Sequence, residues 1–240
     1  MGTPLDVLKE VAVAALVLGA SLGLGLWLLL PFRDARGDPL FVALAAALGM
    51  GALGYLTLAA GLLRIGTGVA LGLVLLGLVL LALGIVKGAV VGSWRAPLTE
   101  AGSAFREAPH LALPAVLVLV AALISALAPP TDWDGLSYHL AVPKRYLVEA
   151  RIHYIPDIHH SNFPATFEML YMLALALGGL SAPKLLHFAA FLLCALVAGV
   201  WASEATGSRR AGPMAAAVFL SAPVAIWEAG AAYIDVGLAL

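Results

Sequence analysis

The 240-residue chain is 62% hydrophobic and only 11% charged, with a formal net charge of −1. Its mean hydropathy of +1.02 lies well outside the range of soluble domains, in which about 45–50% of residues are apolar. The composition therefore predicts an integral membrane protein, and the near-neutral charge excludes the basic surface of a nucleic-acid-binding protein. The single cysteine, Cys194, can form no intrachain disulfide.

Apolar runs long enough to cross a bilayer recur along the whole chain. A spanning helix needs about 20 mostly apolar residues. The segments that meet this requirement are residues 8–30, 39–62, 66–91, 111–128, 183–202 and 212–228. The tryptophans fall at or near the ends of these segments, where indole rings favour the headgroup region. We therefore expect an all-α, multi-pass transmembrane protein.

Glycines recur at four-residue spacing in the third span and beyond it. Gly68 and Gly72, and then Gly84, Gly88 and Gly92, form small-xxx-small patterns. In lipid, such patterns let helix backbones approach closely. We therefore expect these glycines to lie at helix–helix contacts.

One apolar stretch, residues 164–177, is too short to cross the membrane. It would form a helix of about 21 Å, against a hydrocarbon core of about 30 Å. We expect this helix to lie in or dip into the membrane interface. With that reading, the larger share of Lys and Arg lies in short cytoplasmic loops, and residues 129–181 lie with Asp235 on the non-cytoplasmic side.

Three regions follow from these segments. Residues 1–128 form four N-terminal transmembrane helices, and residues 129–181 form an external loop of amphipathic juxtamembrane helices. Residues 182–240 contain two transmembrane helices and the start of a third. Because the chain stops at Leu240 within an apolar run, we expect the sequence to be the N-terminal part of a longer protein.

The polar loop begins with TDWDGLSYHL, residues 131–140. Asp134 is placed to cap a short helix that starts at Gly135, and Pro143 to start a second one. A carboxylate beside a tryptophan, at the edge of a low-dielectric region, can alternatively serve as a general base. Asp132 is either a second carboxylate of the same site or a solvated neighbour.

A histidine cluster follows in the same loop, with Asp157, His159 and His160. Imidazole and carboxylate ligands suit Zn or Mn, so a divalent metal is one interpretation. Their spacing matches no closed zinc site, and plain polar surface residues are the other interpretation. Lys144 and Arg145 either extend their charged ends toward the interface or contact a lipid phosphate.

Three stretches of this half of the chain resemble a known family. They are APPTDWDGLSYHLAVPKRYLVEARI, SNFPATFEMLYMLALALGG, and the run from APKLLHF to AAYIDVGLAL. Together they are similar to the catalytic end of the polytopic GT-C glycosyltransferases. Within that superfamily they look most like bacterial proteins with a protein mannosyltransferase-like or lipopolysaccharide-core-transferase-like domain. The resemblance covers about residues 128–240.

The resemblance implies transfer of a sugar from a polyprenyl-phosphate-linked donor to a glycan, lipid or protein acceptor. The reaction would take place on the non-cytoplasmic face of the plasma (inner) membrane. Asp134 matches the position of the family's general base, and Asp235 matches its second acidic position. Gly135 stands where mannosyltransferases have a glutamate. The residues that we expect to bind substrate are Asp132, Tyr138, His139, Lys144, Arg145 and Glu168.

Two other classes of function remain open at this point. A transporter usually places ionisable residues inside its spans, whereas here Lys87 and Glu228 lie near predicted span ends. A membrane assembly protein without catalytic activity is the second alternative. It predicts that the aspartates of the loop can be replaced together without effect.

Overall fold

The computed structural model describes residues 3–32, 40–86 and 109–240. Regular structure within these residues is entirely helical, which confirms the predicted all-α class. The α-helices are α1 (Pro4–Leu28), α2 (Phe41–Leu63), α3 (Thr67–Val86), α4 (Pro109–Leu127), α5 (Ala141–Val148), α6 (Thr166–Ala176), α7 (Ala182–Thr206), α8 (Ala211–Leu220), α9 (Pro223–Ala229) and α10 (Asp235–Ala239). A π-helix, Gly135–His139, and a 3₁₀-helix, His159–Asn162, lie between α4 and α6.

Helices α1, α2, α3, α4 and α7 are long and apolar enough to cross a bilayer. Their bounds agree with the predicted spans to within a few residues, except that residues 87–91 of the third predicted span lie outside the described part of the chain. The protein is therefore a multi-pass α-helical membrane protein. Its many exposed leucines and valines are the surface that faces lipid.

The predicted span at residues 212–228 is broken. Helices α8 and α9 are bent by 70° at a short break, so they form either one broken span or a re-entrant segment. Pro223 begins α9, and Ala222 before it is extended, with φ −69° and ψ 113°. A residue before proline is restricted from the helical region, which explains why the helix cannot run through this point.

The closest helix contacts join α1 to α2 and use glycines other than those predicted. A methyl group built on Gly25 would collide with the carbonyl of Ala45, and one on Gly49 would collide with the carbonyl of Ser21. By contrast, Gly68 and Gly72 have open space around them, so the prediction that they mediate packing was wrong. The predicted positions Gly88 and Gly92 lie outside the described residues.

Helix α6 also differs from its prediction. Eight consecutive residues, Phe167 to Ala174, are buried, and α6 packs against α1, α2, α3, α5 and α7. An interfacial helix needs one face for lipid headgroups and water, and this stretch has none. Most of α6 is therefore buried among other helices of the bundle, whereas Thr166, Leu175 and Ala176 at its ends are partly exposed.

Candidate functional site

The candidate site lies at the end of the bundle where α1 begins, α4 ends and α7 begins, which we call the loop end. Two charged side chains join these helix ends. The Glu10 carboxylate accepts hydrogen bonds from the N–H groups of Leu180, Ser181 and Ala182 at 2.7–2.9 Å. A carboxylate at this position satisfies the free donors of the N-terminus of α7.

Lys184 forms the second junction at the loop end. Its Nζ donates to the carbonyls of Ser125, at 2.6 Å, and Ala128, at 2.8 Å. These carbonyls belong to the last turn of α4 and the residue after it, and a cation there also complements the helix dipole. Lys184 is only 3% exposed, so this buried lysine holds α4 against α7 and thereby fixes where the loop begins.

The loop leaves α4 and enters a π-helix instead of the expected capped helix. Leu140 N–H donates to the carbonyl of Gly135 at 2.9 Å, and Asp134 forms no side-chain cap hydrogen bond. The prediction that Asp134 caps a helix was therefore wrong, because its backbone is itself helical. Single turns of π-helix occur frequently at functional sites. This turn presents Tyr138 and His139 next to each other.

His139 and Glu168 form a buried pair at the loop end. His139 Nδ1 lies 2.9 Å from Glu168 Oε1, with 4% and 7% of the two residues exposed. Oε2 of Glu168 is buried and has no hydrogen-bond partner in the described part of the chain. Both residues were predicted to bind substrate, and the structure brings them together.

Asp134 lies with two tyrosines, Tyr138 of the π-helix and Tyr233 of the turn before α10. Burial raises the pKa of Tyr138 to about 12, and the charge of Asp134 and a hydrogen bond to it add to that effect. Burial likewise raises the pKa of Tyr233, again with Asp134 as the next cause. Ring contacts of His139 bring the two tyrosines close together, because its centroid lies 4.1 Å from that of Tyr138 and 5.6 Å from that of Tyr233.

Asp235 reaches the same place from the far end of the chain. Its charge contributes to the raised pKa of Tyr138, after burial, Asp134 and Tyr233. The turn before it is held by Tyr171 of α6, whose hydroxyl donates to the carbonyl of Tyr233. The charges of the predicted acidic pair, Asp134 and Asp235, thus both contribute to the raised pKa of Tyr138.

The carboxylate of Asp132 packs against the start of the π-helix. Its Oδ2 is buried and has no hydrogen-bond partner among residues 109–240 or the other described segments. It also contributes to the raised pKa of Tyr233, after burial and Asp134. A methyl group built on Gly135 would collide with this same oxygen. Glycine at position 135 therefore makes room for the carboxylate of Asp132.

Lys144 and Arg145, the cations predicted to contact a lipid phosphate, differ in whether they are already paired. Arg145 donates to Glu149 at 3.1 Å and to Asp157 at 2.6 Å, and its guanidinium lowers the pKa of both carboxyls. Lys144 is exposed. Because Arg145 is already paired with two carboxylates, Lys144 is the freer of the two cations.

The predicted metal ligands are not brought together. Asp157 pairs with Arg145, while the His160 ring stacks on Tyr138, with ring centroids 4.2 Å apart. His159 contacts His160 and Phe163 edge-on. No group of three or more His, Cys, Asp or Glu side chains in the described segments could hold a metal ion. His160 instead packs on the ring of Tyr138, and His159 packs against His160.

Several polar residues of the site were not singled out from the sequence. These residues include Tyr171, Tyr233 and Lys184. His187 is fully buried, and its Nδ1 lies 2.9 Å from the carbonyl of Glu228 at the end of α9. A polar residue in the first two turns of an apolar helix is the signal that could have identified Lys184 and His187.

The side chains at the loop end indicate which chemistry the site can perform. Asp132 and Asp134 precede the π-helix and Asp235 follows the turn that contacts it, beside the buried His139–Glu168 pair. Trp133, which is 81% exposed, lies between Asp132 and Asp134 in the sequence. Such a site can accept a proton from a hydroxyl group at the edge of the lipid.

Fold and site define a multi-pass, all-α membrane protein with an acidic centre at one end of its bundle. The chain is similar to an uncharacterized protein from Shigella flexneri, with 30% identity over 127 residues. The matched region covers 52% of this chain and 63% of that relative, so the chain spans less than two thirds of the relative's length. No protein-family model matches the chain, and no solved structure matches it.

Proposed function

We propose that this protein is a membrane glycosyltransferase of the GT-C kind. It transfers a sugar from a polyprenyl-phosphate-linked donor to a glycan, lipid or protein acceptor on the non-cytoplasmic face of the plasma (inner) membrane. The observation that carries the proposal is the contact between the π-helix after Asp134 and the turn before Asp235, where the ring centroids of His139 and Tyr233 lie 5.6 Å apart. These two acids come from opposite ends of the region that resembles the family.

The proposed reaction needs few groups. Asp134 takes the proton from the acceptor hydroxyl, whose oxygen forms a bond to the anomeric carbon of the sugar. The bond between that carbon and the phosphate oxygen breaks, and the polyprenyl phosphate departs with the electron pair. Because a phosphate is a good leaving group, one positioned base suffices and no general acid is required.

The surroundings of Asp134 suit this role. Tyr138 of the π-helix and Tyr233 of the turn before α10 are the tyrosines whose pKa values the charge of Asp134 raises, after burial. Asp235 supports the same cluster with a second negative charge, which opposes loss of the tyrosine protons. The Asp134 carboxylate is partly exposed, so an acceptor hydroxyl can approach it.

A divalent metal has no assigned part in this reaction. The side chains that the sequence proposed for it, Asp157, His159 and His160, are engaged with Arg145, Tyr138 and Phe163. The acidic cluster near Tyr138 is therefore proposed to act through proton transfer and hydrogen bonding.

Reconstitution of the full-length chain tests the proposal. Purified protein in proteoliposomes is supplied with radiolabelled polyprenyl-phosphate hexoses and a membrane extract that provides acceptors. We expect protein-dependent transfer of label and release of polyprenyl phosphate, with a large loss in Asp235→Asn. Solute flux without any transfer of label would support a transporter, and neither activity would support an assembly protein.

A further inference from the structure

A second polar pocket lies at the loop end, away from the acidic cluster. It has a volume of about 480 Å³ and is lined by Leu63, Arg64, Glu149, Ala150, Arg151 and His153. It lies where α2 ends and the segment after α5 crosses it. None of the reaction steps proposed above uses these residues.

The two walls of the pocket are joined by reciprocal backbone hydrogen bonds. Ile65 N–H donates to the carbonyl of Ala150 at 2.9 Å, and Ile152 N–H donates to the carbonyl of Gly61 at 2.7 Å. Arg64 and Arg151 each lie next to a residue of this pairing. The backbone therefore fixes where the two arginines emerge, even though their side chains are exposed.

The backbone conformation of Ala150 is further evidence that the fold fixes the shape of the pocket. Its φ of +56° is in the left-handed region, and it is the one non-glycine residue with positive φ in the described segments. Such a conformation is unfavourable for alanine and persists only where surrounding contacts impose it. Here the hydrogen bond to Ile65 holds it, and the turn directs Arg151 toward the pocket beside Arg64.

The charge of the pocket is not neutralised internally. Glu149 is the acidic residue in its lining, and it is paired with Arg145 and His153. Neither Arg64 nor Arg151 forms an ion pair or a side-chain hydrogen bond within residues 3–32, 40–86 and 109–240. Two guanidinium groups are thus available to an anion that enters the pocket.

The position of the pocket identifies the kind of anion. Leu63 is 84% exposed and is the last residue of α2, a helix long and apolar enough to cross the bilayer. Arg64 therefore lies at the depth of the lipid headgroups, where a cation meets lipid phosphates. Guanidinium groups suit phosphate oxygens because they can donate two parallel hydrogen bonds.

We propose that this pocket binds the phosphate group of an anionic membrane lipid between Arg64 and Arg151. The lipid's acyl chains lie along the exposed surface of α2 beside Leu63. The site is separate from glycosyl transfer and does not depend on that proposal. It ties the segment after α5 to the membrane surface and so stabilises the outer side of the loop.

The test compares two lipids that differ only in the phosphate. The full-length chain in detergent is titrated with fluorescent phosphatidic acid and with diacylglycerol that carries the same acyl chains. We expect wild type to bind phosphatidic acid at least about ten-fold more tightly, because each charge-assisted hydrogen bond adds substantially to affinity. Equal affinity for the two lipids would overturn the proposal.

Variants locate the binding. Arg64→Gln combined with Arg151→Gln removes both charges, and Lys9→Gln removes an exposed cation at the same end that does not line the pocket. We expect the double variant to lose the preference for phosphatidic acid and Lys9→Gln to keep it. Loss of the preference in both would instead indicate general surface charge.

Two further measurements test whether loss of charge or misfolding causes the effect, and whether the pocket binds soluble phosphate. Arg64→Lys with Arg151→Lys retains charge and should retain part of the preference, and circular dichroism of each variant shows whether it is folded. Inorganic phosphate is titrated in competition with phosphatidic acid. If it binds alone with the same dependence on both arginines and fully displaces the lipid, the pocket is a site for soluble phosphate and the lipid assignment is wrong.

Discussion

Nδ1 of His139 and Oε1 of Glu168 lie 2.9 Å apart inside the bundle, and this pair connects the π-helix to the buried helix α6. Both side chains are buried, so each depends on the other for its hydrogen bond. Because α6 is enclosed by the spanning helices, it provides a rigid support. The pair therefore holds the acidic loop in position over the bundle.

Glu168→Ala tests how much this pair contributes to the stability of the fold. It leaves His139 Nδ1 buried without its partner, which should lower the free energy of unfolding by about 1–3 kcal/mol. The measurement is denaturant unfolding of the purified protein in mixed micelles. Glu204→Ala, at an exposed position of α7, is the control and should change stability by less than about 0.5 kcal/mol. Equal effects of the two variants would argue against a stabilising pair.

Lys184→Met tests the junction between α4 and α7. The variant keeps most of the side-chain volume but leaves the carbonyls of Ser125 and Ala128 without their donor, so we expect a loss of about 1–3 kcal/mol. Thermal unfolding followed by circular dichroism measures it. The matched substitution Lys144→Met, at an exposed position, should leave the melting temperature almost unchanged. A Lys184→Met protein as stable as wild type would show that the two carbonyls find other donors.

Gly135→Ala tests the fit around Asp132. The added methyl group would collide with Oδ2 of Asp132, and crowding of this kind destabilises by about 1–3 kcal/mol. Gly72→Ala is the control, because a methyl group there meets no atom within 4 Å. We expect Gly135→Ala to unfold at lower denaturant concentration and Gly72→Ala to be no less stable than wild type. The reverse order would contradict the described position of Asp132.

The ionisation of Tyr138 reports the position of Asp134. Its pKa is raised to about 12, first by burial and then by Asp134. Asp134→Asn removes the second cause, so the tyrosine pKa should fall toward 10 but remain above it. NMR titration of ¹³Cζ-labelled tyrosine, with Tyr138→Phe to assign the signal, measures this shift. An unchanged pKa of Tyr138 in Asp134→Asn would show that the charge of Asp134 does not act on this tyrosine.

The raised pKa of Tyr138 also predicts that the stability of the fold depends on pH. Tyr138 ionises near 10 in the unfolded chain and near 12 in the folded protein, so the unfolded state loses its proton first. Its contribution to stability is fully present below pH 10 and is lost as the pH rises toward 12. Tyr138→Phe should remove this part of the alkaline loss. An identical alkaline profile in wild type and variant would contradict it.

The spanning helices could be predicted from sequence because hydropathy and length constrain them strongly. Each long apolar run had to satisfy its backbone hydrogen bonds within one helix, so α1 to α4 and α7 followed from composition. The break before Pro223 was missed, because the apolar run continues on both sides of it. Proline was visible there, but its effect depends on whether neighbouring groups can compensate for the lost hydrogen bond.

The site was predictable in its residue types but not in its contacts. Asp134, Tyr138 and His139 stood out because they interrupt an apolar chain. That Glu168 lies inside the bundle could not be inferred, since an apolar helix with one acid fits an interface as well as a core. The contact of the π-helix with Tyr233 depends on α6 holding the turn before α10, a contact between distant segments that no local pattern encodes.

The rate of sugar transfer by Asp134→Asn in the full-length chain tests the central proposal most directly. Wild type and variant are compared at equal amounts of folded protein in proteoliposomes, with Asp157→Asn as a control in the same loop. If Asp134 removes the acceptor proton, the variant should transfer sugar about 10²–10⁴-fold more slowly, while Asp157→Asn stays close to wild type. A rate of transfer in Asp134→Asn equal to that of wild type would contradict the assignment of Asp134 as the base.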